Sequence, residues 1–260
     1  MNRWMTRDPH PIPMVVGFRY QPSAGLPGGW ESHFLAQLGQ HILGFVTGLH
    51  PAQHVQSTFN ARYLFRYDPA AVARDEIRSL IASDDALKGL VGEVLCYWAR
   101  QSFNPPLHID APKPNPREQG KDFLEIFVDN ALAYLIIWEA KCTTQNPLDA
   151  SSEAIRYFGL IEQKRRLSDL NYRLGRTLAI VRGIPAAQHF HGQLQTISNR
   201  KRYGVFAAFD STAHAIPGAL NTYPLNVTGV VARRQAHYVP WPGINGMISE
   251  LRRAILANLP

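Results

Sequence analysis

Cysteine and long apolar runs are both scarce in this sequence. Cys96 and Cys142 are the two cysteines in 260 residues, which excludes a disulfide framework and fits a reducing compartment. The longest fully apolar run, residues 131–138, is far shorter than the roughly 20 residues that cross a bilayer as a helix. The first residues, MNRWMTRDPHPIP, hold no apolar segment of the kind found in signal peptides. We therefore expect a soluble, cytoplasmic protein that makes no membrane contact.

Acidic residues are also in deficit. The chain has 20 Asp and Glu residues against 27 Lys and Arg residues, for a formal net charge of +7 and a pI of about 9.6. Clustered Lys and Arg neutralise phosphates and release counterions, so a nucleic acid is the expected class of partner. The remaining composition, with 45% hydrophobic residues, is that of a globular protein with a substantial core.

Apolar periodicity predicts an α/β fold with a mixed central sheet flanked by helices. Helices are predicted at residues 31–49, 69–82, 84–102, 153–170 and 243–259. Strands are predicted at residues 14–20, 62–67, 107–110, 178–181, 204–209 and 225–232. We interpret residues 1–82 as an N-terminal elaboration, made of a strand and helices, that packs on a core of residues 83–260.

The stretch KDFLEIFVDNALAYLIIWEAKCT, residues 121–143, predicts a β-hairpin, because two apolar runs flank a polar pair suited to a turn. A loop centred on Asn130-Ala131 places Asp122 directly opposite Glu139. Side chains alternate along a strand with period two, so Lys141 shares the face of Glu139. The second strand is apolar on both faces, which predicts a central strand with two carboxylates and an ammonium at one end.

These residue types suit metal-assisted hydrolysis of a phosphodiester. Mg²⁺ prefers oxygen ligands and binds through one or two carboxylates together with phosphate and water. Asp122 and Glu139 are therefore candidate ligands of Mg²⁺ or Mn²⁺, and the carbonyl of Ala140 is a third. A bound ion lowers the pKa of its water, and Lys141 is placed to orient that water or to neutralise the transition state. Glu93 is a candidate for binding the ion through water or for helping to hold a second one.

Simpler interpretations stand beside these hypotheses. On its helix Glu93 lies roughly 130° from the centre of the apolar stripe, which by position alone predicts a solvated surface side chain. Glu139 and Lys141 have the spacing of an ordinary ion pair at the rim of a sheet. However, charges at the end of a strand buried on both faces are costly unless they are paired or liganded. That cost favours a functional site over coincidence.

Other charged and histidine residues are weaker candidates. Two exposed basic runs are predicted to contact nucleic-acid phosphates, unless they are ordinary solvated charge. They are Lys164, Arg165 and Arg166, and Arg200, Lys201 and Arg202. His189 and His191 have a spacing that suits a metal if they lie on a strand, but without a third ligand they do not predict a metal site. The alternation of arginine and aromatic residues at 62–67 favours a half-buried strand over a nucleic-acid contact.

The order of helix, strand, strand, helix and further strands resembles the PD-(D/E)xK nuclease superfamily. The matching motifs are Gly120-Lys121-Asp122 and Glu139-Ala140-Lys141, with Lys121 where the family has a proline. Glu93 falls where many members carry an acidic residue on the first core helix. The resemblance covers residues 83–170. It implies a restriction-endonuclease-like core that hydrolyses DNA with Mg²⁺ or Mn²⁺, using Asp122, Glu139, Lys141 and Glu93.

Within that superfamily, three segments are similar to the nuclease subunits of the Hachiman antiphage defence system: GEVLCYWARQ, GKDFLEIFV and LIIWEAKCT. This resemblance implies an effector that degrades DNA together with a separate helicase subunit. Restriction endonucleases and repair nucleases have the same core and are competing assignments. The alternative from another class is a nucleic-acid-binding or scaffold subunit whose nuclease-like core is catalytically silent.

Overall fold

A computed structural model describes residues 5–8, 15–20, 30–46, 77–79, 81–103, 105–112, 122–165, 167–214 and 222–257. Seven strands within these ranges form one sheet in the order β1-β2-β7-β6-β5-β4-β3. They are β1 (Met5–Asp8), β2 (Val15–Tyr20), β3 (His108–Ile109), β4 (Phe123–Asp129), β5 (Leu132–Thr143), β6 (Lys201–Asp210) and β7 (Arg234–Trp241). The pairs β5–β6, β6–β7 and β2–β7 are parallel, and the outer pairs are antiparallel. The predicted mixed central sheet is confirmed.

Helices cover both faces of the sheet. They are α1 (Trp30–Val46), α2 (Asp84–Phe103), α3 (Pro147–Glu162), α4 (Leu167–Arg182), α5 (His191–Gln195), α6 (Tyr223–Asn226) and α7 (Ile244–Ala257). Apolar side chains of α1, α2 and α7 form one core against the sheet, and those of α3 to α6 form a second core on the other face. β1, β2 and α1, from the predicted N-terminal elaboration, belong to the same sheet and core as the rest of the chain. Among the described helices, none is long and apolar enough to cross a membrane.

The hairpin forms in the predicted register. Phe123 pairs with Trp138 and Leu124 pairs with Ile137. Extended by one residue beyond its last pair, the same register sets Asp122 opposite Glu139. β5 lies between β4 and β6 and sends alternate side chains into the two cores, so the predicted central strand is confirmed as well.

A two-residue turn closes the hairpin. Asn130 and Ala131 have φ angles of 49° and 61°. Two successive positive φ values define a type I′ turn, whose twist matches that of the strands it joins. The turn length fixes the register, because a turn longer by one residue would invert the faces of one strand relative to the other.

Ala131 is poorly suited to its place in this turn. A left-handed backbone costs an L residue roughly 1–2 kcal/mol, whereas glycine adopts it freely. We expect Ala131→Gly to raise the free energy of unfolding by about 1 kcal/mol, measured by urea denaturation. Ala133→Gly is the matched control, since Ala133 is a buried strand residue and its replacement should destabilise the fold. A loss of stability in Ala131→Gly would contradict the type I′ assignment.

Three predicted elements are wrong. The helix predicted at 153–170 is two helices, because Lys164 adopts a φ of 60° and ends α3. The strand predicted at 178–181 lies inside α4, and the strand predicted at 225–232 is replaced by α6 and a 3-10 turn, Val231–Arg233. Short apolar runs do not distinguish strands from buried helical turns by periodicity.

The end of α3 is a Schellman motif. The N–H of Lys164 donates to the carbonyl of Ile161, and the N–H of Arg165 donates to the carbonyl of Leu160. Glycine usually takes the left-handed position, so the sequence carries no stop signal here.

The other predicted elements agree with the structure where it describes them. Helices at 31–49, 84–102 and 243–259 and strands at 14–20, 107–110 and 204–209 are confirmed to within a few residues. The strand predicted at 62–67 lies outside the described residues. Within the helix predicted at 69–82, the structure describes residues 77–79, 81 and 82, and all of these are helical.

Candidate functional site

An open cleft of about 1200 Å³ lies across the carboxyl end of β5. α2 forms one wall and α3 the other, and the last four residues of β5 lie between them. Of the described side chains that line it, five are carboxylates and three are cations. They are Asp85, Glu93, Asp122, Asp149 and Glu153, and Lys88, Lys141 and Arg156. The cleft is therefore acidic although the chain as a whole is basic, which suits the binding of a cation.

Asp122 lies in this cleft, one residue before β4. Its Oδ2 accepts a hydrogen bond of 2.6 Å from the backbone N–H of Ala140. The N–H and carbonyl of one strand residue point towards the same neighbouring strand. The Ala140 carbonyl is therefore directed to the Asp122 side of β5, where two of the predicted oxygen ligands lie close together.

Lys141 lines the cleft and Glu139 holds it in place. The Lys141 Nζ lies 3.0 Å from Glu139 Oε1 and 3.9 Å from Glu153 Oε2. Burial lowers the pKa of the Lys141 ammonium, but the charges of Glu139, Asp122 and Glu153 outweigh it and raise the pKa above its usual value. The ammonium therefore keeps its proton at neutral pH and serves as a cation rather than a base. Glu139 itself is largely covered and lies behind Lys141 rather than on the cleft lining.

Glu93 is buried, so the prediction of a solvated surface side chain is wrong. It is 3% exposed and lines the cleft together with Asp122. α2 packs on β5 and also on α1, so more of its circumference is covered than its apolar stripe indicates. Tyr97, four residues further along the helix, is buried as well.

Gly92 brings α2 close to the site. A Cβ at this position would lie 2.9 Å from the backbone carbonyl carbon of Lys141, a distance that real side chains avoid. The absence of a side chain lets the helix approach the end of β5, and Glu93 follows directly. A glycine within a helix that is otherwise well formed was the sequence signal for this close approach.

A buried ion pair lies beneath the site on the α2 face of the sheet. Arg100 donates to both carboxylate oxygens of Glu125, at 2.9 and 2.7 Å, and the Trp138 indole N–H donates to Glu125 at 2.6 Å. Glu125 is fully buried. The network fixes Trp138, which directly precedes Glu139. The carboxylate inside the apolar run of β4 was the sequence signal for it, since buried charges require partners.

A second buried cluster joins α4 to Asp122. One Arg173 Nη lies 3.2 Å from the Asp110 carboxylate and 3.2 Å from the backbone carbonyl of Asp122. Thr177 donates to Asp110 at 2.9 Å, and His108 Nε2 lies 3.3 Å away. Burial raises the pKa of Asp110, but these partners outweigh burial and the pKa is lowered. The charged Asp110 therefore anchors Arg173 against the start of β4.

The predicted basic runs differ in their surroundings. Arg202 is buried, pairs with Asp129 at 3.0 Å and stacks 3.6 Å over the Tyr134 ring, while Arg200 donates to the carbonyl of Ala133. The prediction that this run is exposed is therefore wrong for these two arginines, which hold the closed end of the hairpin.

Lys201 is half-buried at the start of β6, where it pairs with Leu135 on β5. Along β5 this end lies roughly 20 Å from Lys141. Lys164 and Arg165 are exposed as predicted and follow Gln163, which lines the cleft. Arg166 lies outside the described residues.

The two histidines do not lie on a strand, the condition under which their spacing would suit a metal. His189 lies in a 3-10 turn, Pro185–Phe190, and His191 begins α5. Across the described ranges, no three carboxylate, histidine or cysteine side chains are grouped closely enough to hold a metal ion by themselves. The structure therefore gives no support for a metal site at these histidines.

The donors in the cleft fit a hard divalent cation. The carboxylates of Asp122 and Glu93 and the carbonyl of Ala140 are oxygen ligands of the kind Mg²⁺ and Mn²⁺ prefer. Cys142 also lines the cleft, but burial raises the pKa of its thiol to about 12.

The chain matches no protein-family model, and no curated protein is significantly similar to it.

Proposed function

We propose that the protein is a metal-dependent nuclease that hydrolyses phosphodiester bonds of DNA. The observation that carries the proposal is the register of the hairpin. It brings Asp122 opposite Glu139, beside Ala140 and Lys141, at the end of a buried strand. A slip of one residue would turn Asp122 to the opposite face, and the constellation would not form.

Each residue of the site has a role in this proposal. Asp122, Glu139 and the Ala140 carbonyl would hold Mg²⁺ or Mn²⁺, with Glu93 in support. When bound, the ion supplies a water of lowered pKa and neutralises charge on the scissile phosphate. Lys141, kept protonated by its acidic neighbours, stabilises the negative charge that develops on the phosphate oxygens.

We further propose that the nuclease is the effector of a bacterial antiphage defence complex of the Hachiman type, acting with a helicase partner. The support is the resemblance of the three segments named above, residues 92–101, 120–128 and 135–143. Their described parts lie on α2, β4 and β5, the elements that meet at the cleft. The resemblance is therefore concentrated around the proposed chemistry.

One observation favours a catalytically silent subunit that binds nucleic acid or serves as a scaffold. The Glu139 carboxylate is paired with Lys141 at 3.0 Å through Oε1, and its side chain is largely covered. A silent core could retain this ion pair for stability alone. A cleavage assay distinguishes the two proposals.

The test is cleavage of plasmid DNA and single-stranded DNA by the purified protein, alone and with a helicase partner. We expect cutting with Mg²⁺ or Mn²⁺, its loss when EDTA is added, and its return when excess Mn²⁺ follows, because the reaction depends on the ion. RNA of the same sequence is the comparison substrate. Cutting that persists in EDTA would contradict the metal-dependent assignment, and no cutting under any of these conditions would favour the silent subunit.

A further inference from the structure

Lys88 is a cation that lines the cleft and has no role in the proposed reaction. It lies on α2, and its side chain is only 14% exposed. Its one ion pair with a described residue is a 4.0 Å contact to Asp85, whose own side chain is 98% exposed. Within the described part of the chain, the Lys88 ammonium makes no hydrogen bond. Its charge is poorly compensated for a group so largely covered.

Lys88 lies over the end of β5, close enough to Cys142 for its charge to lower the pKa of that thiol against the larger opposite effect of burial. Lysine side chains commonly cover their aliphatic stems and keep the ammonium group in contact with water. An ammonium held in this way on the cleft lining is available to an anionic ligand.

The charges of the cleft indicate which anion fits. Among the described side chains that line the cleft, five carboxylates against three cations leave an excess of two negative charges, which would repel an acidic peptide. One divalent cation bound by Asp122 and its neighbours offsets this excess. Two cations are then available to an anion that enters together with the metal: Lys88 on the α2 wall and Arg156 on the α3 wall. A nucleic-acid backbone meets this description because it carries several phosphates in succession.

We propose that Lys88 binds a backbone phosphate of DNA next to the scissile phosphate, with Arg156 contacting the strand from the facing wall. This inference rests on the proposed nuclease function, since it takes the same cleft as the substrate site. It adds a phosphate-binding position that neither the motifs nor the metal ligands specify.

The experiment measures DNA binding and cleavage separately in the full-length protein. Binding of a fluorescent single-stranded and a duplex oligonucleotide is titrated across a range of salt concentrations, in the inactive Glu139→Ala, Lys141→Ala background with Mn²⁺ present. Introducing Lys88→Gln there should weaken binding about tenfold and reduce the slope of log affinity against log salt by about one. In the active protein the same substitution should raise KM and leave kcat nearly unchanged.

Three further variants serve as controls. Lys88→Arg keeps the charge and should restore the salt slope. Arg253→Gln removes an exposed cation of α7, outside the cleft lining, and should change neither affinity nor slope. Lys88→Met removes the charge and keeps a side chain of similar length, and its Tm verifies that the fold is retained.

The outcomes separate this inference from the nuclease proposal. Cleavage that depends on metal, combined with an unchanged affinity and slope in Lys88→Gln, overturns the phosphate position and leaves the nuclease intact. DNA binding that depends on Lys88, in a protein that cuts nothing, upholds the phosphate position and overturns the nuclease. No DNA binding by the Glu139→Ala, Lys141→Ala background overturns the inference.

Discussion

The Glu139→Ala, Lys141→Ala double variant is expected to lose DNA cleavage by about a thousand-fold or more. The substitution removes a proposed metal ligand and the cation that stabilises charge on the phosphate. It should leave the fold intact, because both side chains lie at the end of β5 and the two charges, 3.0 Å apart, are removed together. Neither charge is left buried without its main partner, which is the usual reason for a large loss of stability.

Single-turnover cleavage rates measure this effect, and circular dichroism with thermal melting verifies the fold. Arg253→Ala is the control, since Arg253 is an exposed cation of α7 that lies outside the cleft lining. It should cut at the rate of the unmodified protein. A double variant that retains more than about a tenth of the original rate would refute the assignment of both residues.

Glu125→Ala should destabilise the fold by roughly 3–5 kcal/mol, the usual cost of leaving a buried charge without its partner. Glu125 is fully buried and accepts three hydrogen bonds, two from Arg100 and one from Trp138. The truncation leaves the Arg100 guanidinium in the core beside the rings of Phe127 and Trp138. Urea denaturation gives the change in the free energy of unfolding.

The variant for comparison combines Arg100→Met with Glu125→Leu. It replaces the buried ion pair by apolar side chains of similar size. Replacing a buried ion pair in this way is often neutral, so the double variant should be more stable than Glu125→Ala alone. A residual cost of about 1–3 kcal/mol is expected from the Trp138 indole N–H, which loses its acceptor. Equal stability of the two variants would show that the unpaired Arg100 charge is not the source of the loss.

The hairpin could be predicted from the sequence because local rules determine it. Side chains alternate with period two, and a two-residue turn leaves one register that buries both apolar faces. Asp122 and Glu139 follow from that register without knowledge of the rest of the fold. The same holds for α2 and α7, whose apolar stripes are long enough to identify a helix.

The environment of Glu93 could not be predicted in this way. Its burial depends on how closely α2 approaches β5, which Gly92 decides through contacts distant in the sequence. Arg202 is similar, because its partners Asp129 and Tyr134 come from another strand. Lys88 lines the cleft for the same kind of reason. Tertiary contacts, rather than periodicity, determine which charged side chains enter the cleft.

The most direct test of the proposed site is an anomalous-difference map from crystals soaked in Mn²⁺. The metal-dependent mechanism predicts a strong peak in the cleft, bound by Asp122, Glu139 and the carbonyl of Ala140, and its disappearance in crystals of Asp122→Asn. Absence of a peak at saturating Mn²⁺, or a peak held only by residues outside this set, would contradict the account.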